Sequence, residues 1–245
     1  MAHAAFNPTL TPLSDHLGVE VEGIDLTKVT TQEQFQQIRD LFDTHSALLF
    51  RNQALTEDVH IRLSSFFGPI EDRMADERKA GETFKVPEVS NVRADGTVSE
   101  DMDLHTLNLK SNFLWHSDST FLPTPALVNV ITARILPTSG GATELASTRA
   151  GWAAMPEEMK ARIKGRGIWH RYSHSRKKIS EEESAELLDE LIAFCTQDQF
   201  VYSHNWSVGD VLMWDQRAVM HRGTPWPYEQ PPNSPVSAAV RRNRT

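Results

Sequence analysis

The chain has 245 residues, of which 39% are hydrophobic and 24% are charged, and its formal net charge is −8. A chain of this composition can bury a substantial core, which excludes general disorder. Its negative net charge is not the excess of basic residues that is typical of nucleic-acid binding. The expected partner is therefore a small molecule. A single cysteine, Cys195, excludes an intrachain disulfide framework and a cysteine-based zinc cluster, and it fits a reducing cytoplasm.

The N-terminal stretch MAHAAFNPTLTPLSDHLG lacks the basic start and the apolar segment of a signal peptide. Nowhere does the chain approach the run of about eighteen apolar residues that a membrane span requires. We expect a single cytoplasmic domain over residues 1–245 that does not span a membrane, and we leave open whether it forms a homo-oligomer.

The first part of the chain alternates strand and helix signals. Strands are indicated at 16–26, where apolar and polar side chains alternate, and at 46–53, where a short run is apolar. Two helices are indicated by capping threonines followed by apolar residues with helical spacing. Thr30 or Thr31 caps the first helix and Thr56 caps the second.

The middle of the chain changes character. Residues 70–110 are polar and lack a sustained period, apart from a short strand signal at 88–92, and they predict a long loop of the kind that often covers a site. Segments that favour strands then follow, separated by proline and glycine turns. They are residues 113–122, 126–136 and 140–146.

The last part of the chain begins with helix signals and ends with strand signals. Ser147 or Thr148 opens one helix, and Ser180 with Glu183 forms a capping box for another. A strand hairpin is predicted from residues 200–206, the turn 207–210, and residues 211–223. The whole pattern predicts a β-rich core with helices packed outside it.

The stretch NFLWHSDSTF contains a histidine and an aspartate two residues apart. In a strand such residues share a face, so His116 and Asp118 can offer an imidazole nitrogen and a carboxylate oxygen to one ion. His221, at the end of a strand-like run, is the best candidate for a third ligand. Two imidazoles and one carboxylate leave one side of an ion open, which suits iron(II) that also binds oxygen and a chelating co-substrate.

Spacing alone favours a structural interpretation, because His-x-Asp is common and His221 could be an ordinary surface histidine. The other histidines offer no rival site. His170 and His174 are predicted to lie on a solvated basic strand or loop, and His204 is predicted to be structural.

Beyond these residues, the chain resembles the taurine and 2,4-dichlorophenoxyacetate dioxygenases, which depend on iron(II) and 2-oxoglutarate. The resemblance covers most of residues 10–230 in the family's order. It rests on the segments LGVEVEGIDLT, HSALLFRNQALT, FFGPIE, VSNVRADGTV, NFLWHSDSTFL, PTSGGATELAS and TQDQFVYSHNWSVGDVLMWDQRAVMHRGTPW. The parts WHSDSTF and FVYSHNWSVGDVLMWD are closer to the phenoxyalkanoate branch than to the taurine branch.

This resemblance implies a β-rich α+β fold with a double-stranded β-helix, or jelly-roll, core and flanking helices. It implies that His116, Asp118 and His221 bind iron(II), that Thr143 hydrogen-bonds the distal carboxylate of 2-oxoglutarate, and that Asn112 lies near the co-substrate or substrate. The implied reaction uses O2 to hydroxylate a small anionic organic acid, phenoxyalkanoate- or sulfonate-like, and releases succinate and CO2.

An anionic substrate needs a cation in its partly desolvated pocket. We name Lys110 for this role, with Arg217 and Arg222 as alternatives near the third ligand, although Arg222 also fits a structural partner at a strand end. Packing and turn capping explain three further residues without chemistry: Trp115, Trp214 and Asp215.

The chain departs from the family pattern in two places. Between HSRKKIS and EEESAELLDELIAF about forty residues of the family, including a strand pair, have no counterpart, so we expect part of the outer sheet to be missing and a sheet edge to be exposed. The second departure follows Gln230 or Pro231. Pro232 stands where the family has an arginine that grips the distal carboxylate of 2-oxoglutarate.

The tail at about 231–245, PPNSPVSAAVRRNRT, fits a shifted reading frame. With permitted codons, restoring one base after its first four gives PRELASLCCSATEQD, which places an arginine at position 232. We therefore expect an atypical tail, no final core strand and weak binding of 2-oxoglutarate. Three arginines of the tail lie too late in the chain to substitute: Arg241, Arg242 and Arg244.

Two alternatives from other classes stay open. One is a metal hydrolase that uses the same His-Asp-His set, which iron-dependent 2-oxoglutarate turnover would exclude. The other is a truncated family relic, which would bind metal without releasing succinate.

Overall fold

A computed structural model describes residues 6–72, 78–79, 81–90, 97–98, 100, 103–120, 122, 124–166, 181–227 and 236–237. Ten strands and six α-helices lie within these ranges. In chain order they are β1 (Thr9–Pro12), β2 (Val19–Glu22), α1 (Gln32–His45), β3 (Ala47–Phe50), α2 (Glu57–Phe66), β4 (Glu88–Val89), α3 (Leu104–Ser111), β5 (Val128–Ala133), β6 (Thr143–Ser147), α4 (Thr148–Ala154), α5 (Glu157–Ile163), α6 (Glu181–Cys195), β7 (Val201–His204), β8 (Val211–Asp215), β9 (Val219–Gly223) and β10 (Val236–Ser237).

The strands form two sheets. The larger has the order β1-β2-β3-β8-β5-β10-β4, and the smaller has the order β7-β6-β9. In the larger sheet β8 pairs antiparallel with both β3 and β5, and every residue of β3 and β8 is buried. Both faces of these central strands are therefore covered, which explains why their sequences are continuous apolar runs rather than alternating ones.

Two hydrophobic clusters cover the two faces of the larger sheet. One packs the aromatic side chains of α1, such as Phe35 and Phe42, against apolar residues of β3, β5 and β8. The other joins Leu49, Leu212 and Trp214 of the larger sheet to Leu145 of the smaller sheet. This second cluster is the interior between the sheets.

Several local predictions are confirmed. Thr31 caps α1 through a capping box, in which the Gln34 amide donates to the Thr31 hydroxyl and the Thr31 amide donates to the Gln34 side chain. Thr56 caps α2, and Ser147 caps α4. The predicted strands at the positions of β2, β3, β5 and β6 are also present.

Three predictions are wrong. Helix α3 lies where a loop was predicted. Thr106 and Leu109 are buried in it, and because Thr106 is polar, the pair gives no apolar period in the sequence. The segment predicted as a strand at 113–122 does not form one over its described residues 113–120, because the backbone turns at Ser119, whose φ is +58°. Strands β7 and β8 do not form a hairpin, because β7 pairs with β6 while β8 pairs in the larger sheet.

The tail also differs from expectation, since Val236 and Ser237 pair with both β5 and β4 as the short strand β10. The predicted cap at Ser180, the histidines His170 and His174, and position 232 lie outside the described residues. None of the helices in the described ranges is both long enough and apolar enough to cross a bilayer.

Candidate metal centre

The three predicted ligands meet in space. His116 Nε2 lies 3.8 Å from Asp118 Oδ1, and His221 Nε2 lies 3.4 Å from Asp118 Oδ2, with all three ligand atoms within 4.8 Å of one another. Two atoms that each bind one ion at about 2.1 Å stand at most about 4.2 Å apart, so both measured separations fit a shared ion. The donor set of two nitrogens and one carboxylate oxygen suits iron(II).

The two histidines are neighbours through their backbones. The His116 amide donates to the His221 carbonyl at 3.0 Å, and the His221 amide donates to the His116 carbonyl at 2.8 Å. This single bridge attaches the segment of the first two ligands to β9 at the edge of the smaller sheet. Asp118 then reaches the site from the turn at Ser119, whose hydroxyl donates to the Glu71 carboxylate, and not by the strand alternation that the sequence predicted.

A backbone carbonyl fixes the tautomer of His116. Its Nδ1 lies 2.7 Å from the carbonyl oxygen of Leu114. Because a carbonyl only accepts hydrogen bonds, Nδ1 carries a proton, which leaves Nε2 as the ring nitrogen that can bind an ion. The imidazole is thereby set to ligate through Nε2.

Two buried amides hold the Asp118 carboxylate. Asn129 Nδ2 donates to Oδ2 at 2.7 Å, and Gln216 Nε2 donates to the same oxygen at 3.2 Å. The Gln216 side chain also accepts from the Asp118 amide at 3.2 Å. Sequence reasoning missed both residues, although an asparagine inside the apolar strand VNVITA was a signal that could have found Asn129.

One side of the ligand set reaches solvent. The side chain of His116 is 27% exposed and that of Asp118 is 17% exposed, whereas His221 is 10% exposed. His221 is backed by the fully buried Trp214, whose ring centroid lies 4.8 Å from the imidazole. Exogenous ligands can therefore approach from the side of His116 and Asp118.

Thr143 lies on the same face of the smaller sheet as the third ligand. In the pairing of β6 with β9, Leu145 is opposite His221 and Thr143 is opposite Gly223. Thr143 is therefore the diagonal neighbour of His221, at a Cα separation of about 7–8 Å. Asn112 lies beside Gly223, because the Gly223 amide donates to the Asn112 carbonyl at 2.8 Å.

The proposed substrate cations differ in their surroundings. Lys110 lies in the last turn of α3, and not in a loop as predicted. Arg217 makes two hydrogen bonds to the buried Asp215 carboxylate, at 2.8 and 2.7 Å, and these bonds raise its pKa above the ordinary value. Its guanidinium also lies 3.5 Å from Asp43, so Arg217 is a structural partner of two carboxylates.

Arg222 is likewise held by its neighbours. Its Nε donates to Glu144 at 2.6 Å across β6 and β9, and its guanidinium lies 4.6 Å from the ring centroid of Trp115. This arrangement agrees with the structural interpretation of both Arg222 and Trp115.

His204 is structural, as predicted. It is fully buried, with Nε2 3.1 Å from Asp210 Oδ2 and Nδ1 3.1 Å from the Tyr202 hydroxyl. Burial raises the pKa of Asp210, but the nearby His204 imidazole, the hydrogen bond from the Ser207 amide and the charge of Arg51 outweigh it, and the net pKa is lowered. The aspartate is therefore ionised beside the imidazole.

Comparison with known proteins decides the family. The sequence model described as taurine catabolism dioxygenase TauD, TfdA family, matches residues 9–182 and 177–235. The chain belongs to this family.

The relatives of this TauD/TfdA member include the alpha-ketoglutarate-dependent 2,4-dichlorophenoxyacetate dioxygenase of Cupriavidus pinatubonensis, which is 30% identical over 259 positions, 86% of this chain and 90% of the relative. The (S)-phenoxypropionate/alpha-ketoglutarate-dioxygenase of Sphingobium herbicidovorans is 27% identical over 90% of this chain and 91% of that protein. The crystal structure of AAD-2 in complex with Mn(II) and N-oxalylglycine has a TM-score of 0.82 at 26% identity, over 98% of this chain and 99% of that one.

The enzyme class and the cofactors predicted from the sequence, iron(II) and 2-oxoglutarate, are confirmed at the level of the family. The aligned 259 positions exceed the 245 residues of the chain, so the Cupriavidus relative contains residues that have no counterpart here. The family match consists of two segments that overlap at residues 177–182, beside the place where the sequence indicated an absent segment.

Proposed function

We propose that this single-domain chain is an iron(II)- and 2-oxoglutarate-dependent dioxygenase that hydroxylates a small anionic organic acid, phenoxyalkanoate- or sulfonate-like, and releases succinate and CO2. The observation that carries the proposal is the meeting of His116, Asp118 and His221 in a site with one open side. Relatives named for 2,4-dichlorophenoxyacetate and phenoxypropionate favour the phenoxyalkanoate class over sulfonates.

The chain's own residues would organise the iron. His116, Asp118 and His221 would hold it, and when bound the iron with 2-oxoglutarate and O2 supplies the oxidising chemistry. Asn129 and Gln216 keep the Asp118 carboxylate in one orientation by donating to Oδ2. Both amides are neutral, so they orient the carboxylate without cancelling the charge that attracts a divalent cation.

The co-substrate would extend from the iron towards Thr143. The 2-oxo acid end of 2-oxoglutarate would bind the iron, and its distal carboxylate would need a donor farther from the ion. The diagonal position of Thr143 relative to His221 supplies a hydroxyl donor at that range. The adjacent position of Asn112, beside Gly223, supports its role near the co-substrate or substrate.

Lys110 is our candidate for the cation that binds the substrate acid. It stands two residues before Asn112 at the end of α3, and its side chain is half-buried. A half-buried ammonium near the site would offset the desolvation of a bound carboxylate or sulfonate.

We expect the tail to lower the affinity of the chain for 2-oxoglutarate. Pro232 takes the place of the arginine that the resemblance implies, and a bidentate arginine–carboxylate pair is among the stronger contacts for such an anion. This departure supports one alternative, a family member that binds metal without turnover.

Succinate release tests the proposal. The purified chain would be assayed in air with iron(II), ascorbate, 2-oxoglutarate and a panel of phenoxyalkanoates, sulfonates and matched neutral ethers. Acid-dependent succinate supports the dioxygenase, and metal binding without succinate selects the inactive relative. Hydrolysis without 2-oxoglutarate would select the hydrolase.

A further inference from the structure

The hydroxyl of Thr143 has a second partner inside the protein. Trp206 Nε1 lies 3.0 Å from Thr143 Oγ1 and donates a hydrogen bond to it. An indole nitrogen only donates, whereas a threonine hydroxyl has one proton to give and two lone pairs to accept with. The indole therefore occupies one lone pair and leaves the hydroxyl proton for another acceptor.

We propose that Trp206 is a positioning residue that turns the Thr143 hydroxyl into a donor aimed at the distal carboxylate of 2-oxoglutarate. This inference rests on the proposed function, because it takes Thr143 as the contact of that carboxylate. A hydroxyl that accepts one hydrogen bond becomes a stronger donor in the next, since linked hydrogen bonds polarise one another. The indole thus both orients and strengthens the contact.

The ring of Trp206 is held in place by His204. The two rings meet edge to face, with centroids 4.4 Å apart and an interplanar angle of 82°. His204 is opposite Thr143 in the pairing of β7 with β6, so the imidazole, the indole and the threonine form one contiguous group. The position of His204 is set in turn by Tyr202 and Asp210, each 3.1 Å from one ring nitrogen.

The turn after Trp206 is anchored to the larger sheet. Asp210 Oδ2 accepts from the Ser207 amide at 2.8 Å and from Arg51 Nη1 at 2.7 Å. The Gly209 amide donates to the Ala133 carbonyl at the end of β5 at 2.9 Å. The backbone directly after Trp206 is therefore held by these bonds, which favours one position of its indole N–H beside Thr143.

A set of four variants tests this role on the full chain loaded with Mn(II), with calorimetry as the measure of 2-oxoglutarate affinity. Trp206→Phe keeps an aromatic ring against His204 and removes the donor, and we expect affinity to fall about three- to tenfold. Thr143→Val should lose at least as much, and the double variant should lose no more than Thr143→Val alone. Trp152→Phe, at a 51% exposed indole on α4, is the matched control and should bind as wild type.

Retained affinity in Trp206→Phe, or losses that multiply in the double variant, would overturn the inference. If Thr143→Val binds as wild type, or the wild type does not bind 2-oxoglutarate, then the proposed role of Thr143 fails and this inference falls with it. A loss in Thr143→Val without a loss in Trp206→Phe defeats the inference alone.

A second measurement keeps Trp206 intact and so does not depend on how Trp206→Phe folds. In nitrogen–proton correlation spectra, Thr143→Val should shift one indole N–H signal that Thr143→Ser leaves near its wild-type position. The same signal should move when 2-oxoglutarate is added to the wild type. An indole region that is unchanged by Thr143→Val contradicts the hydrogen bond on which the inference depends.

Discussion

The Asn129 side chain donates a 2.7 Å hydrogen bond to the Asp118 carboxylate, and this bond ties the metal site to the larger sheet. Asn129 is 1% exposed and belongs to β5, whereas His221 belongs to β9 of the smaller sheet. The three predicted ligands are therefore held from both sheets at once. The buried contacts between the two sheets thus contribute to the spacing of the predicted ligand atoms.

Asn129→Leu is expected to weaken metal binding. Leucine has nearly the same shape but cannot donate, so Asp118 Oδ2 loses its shorter amide bond, and loss of such an outer partner typically costs about 10–100-fold in metal affinity. Mn(II) titration by calorimetry measures this. Gln36→Leu, which removes an exposed amide on α1, is the control, and equal affinity in both variants would show that Asn129 does not support the site.

His60 predicts a pH dependence of stability. Its Nε2 lies 2.9 Å from the Val130 carbonyl in the core, and burial lowers the pKa of its imidazole to about 4 from the ordinary 6.5. Between these values the unfolded chain binds a proton that the folded chain excludes, so stability should fall as pH drops from 6.5 towards 4, by up to about 3 kcal/mol. The free energy of unfolding in urea at several pH values measures the slope.

His60→Gln provides the comparison, because glutamine can donate to the same carbonyl and does not titrate in this range. The wild type should lose more stability than this variant over that pH interval. Parallel curves for the two proteins would mean that His60 is not the group responsible.

Lys110→Met is expected to raise the KM for acidic substrates and to leave that of neutral ethers unchanged. The reason is that an ammonium contributes to binding only where the substrate carries the opposite charge. Lys28→Met, at a lysine whose side chain is 78% exposed, controls for loss of one positive charge. If the unmodified chain turned over neutral ethers better than the corresponding acids, no positively charged residue would be needed to bind the substrate, and the role of Lys110 would be wrong.

Replacing residues 231–245 by PRELASLCCSATEQD is expected to tighten binding of 2-oxoglutarate, because the replacement puts an arginine at position 232 in place of Pro232. Titration of both Mn(II)-loaded chains measures the difference. Sequencing of the gene tests the shifted frame itself, and equal affinities with an unshifted gene would contradict this account of the tail.

Local signals made much of the fold predictable. Thr31 and Thr56 cap their helices through contacts a few residues away, and the buried run at 47–50 reads as a strand because both of its faces are covered. Such features depend on neighbours in sequence. His116 and His221 could also be predicted as ligands. Histidine is a common metal ligand, and the family resemblance implies that these two residues bind the same ion.

The errors concern contacts between distant parts of the chain. β7 and β8 look like a hairpin, but each finds a longer-range partner, and only the packing of two sheets decides between these pairings. Asp118 reaches the site through the turn at Ser119, and the alternation of side chains along a strand cannot predict such a turn. Asn129 and Gln216 are likewise ordinary polar residues in the sequence, and their role is visible only where they converge on Asp118.

The most direct test of the central claim is succinate release by the unmodified chain and by His116→Ala, Asp118→Ala and His221→Ala, each supplied with iron(II), 2-oxoglutarate and a phenoxyalkanoate in air. The account predicts substrate-dependent succinate from the unmodified chain and none above background from any ligand variant, while His16→Ala, at an exposed histidine outside the site, keeps full activity. Full succinate release by any one of the three ligand variants, or none from the unmodified chain with every acid of the panel, would contradict it.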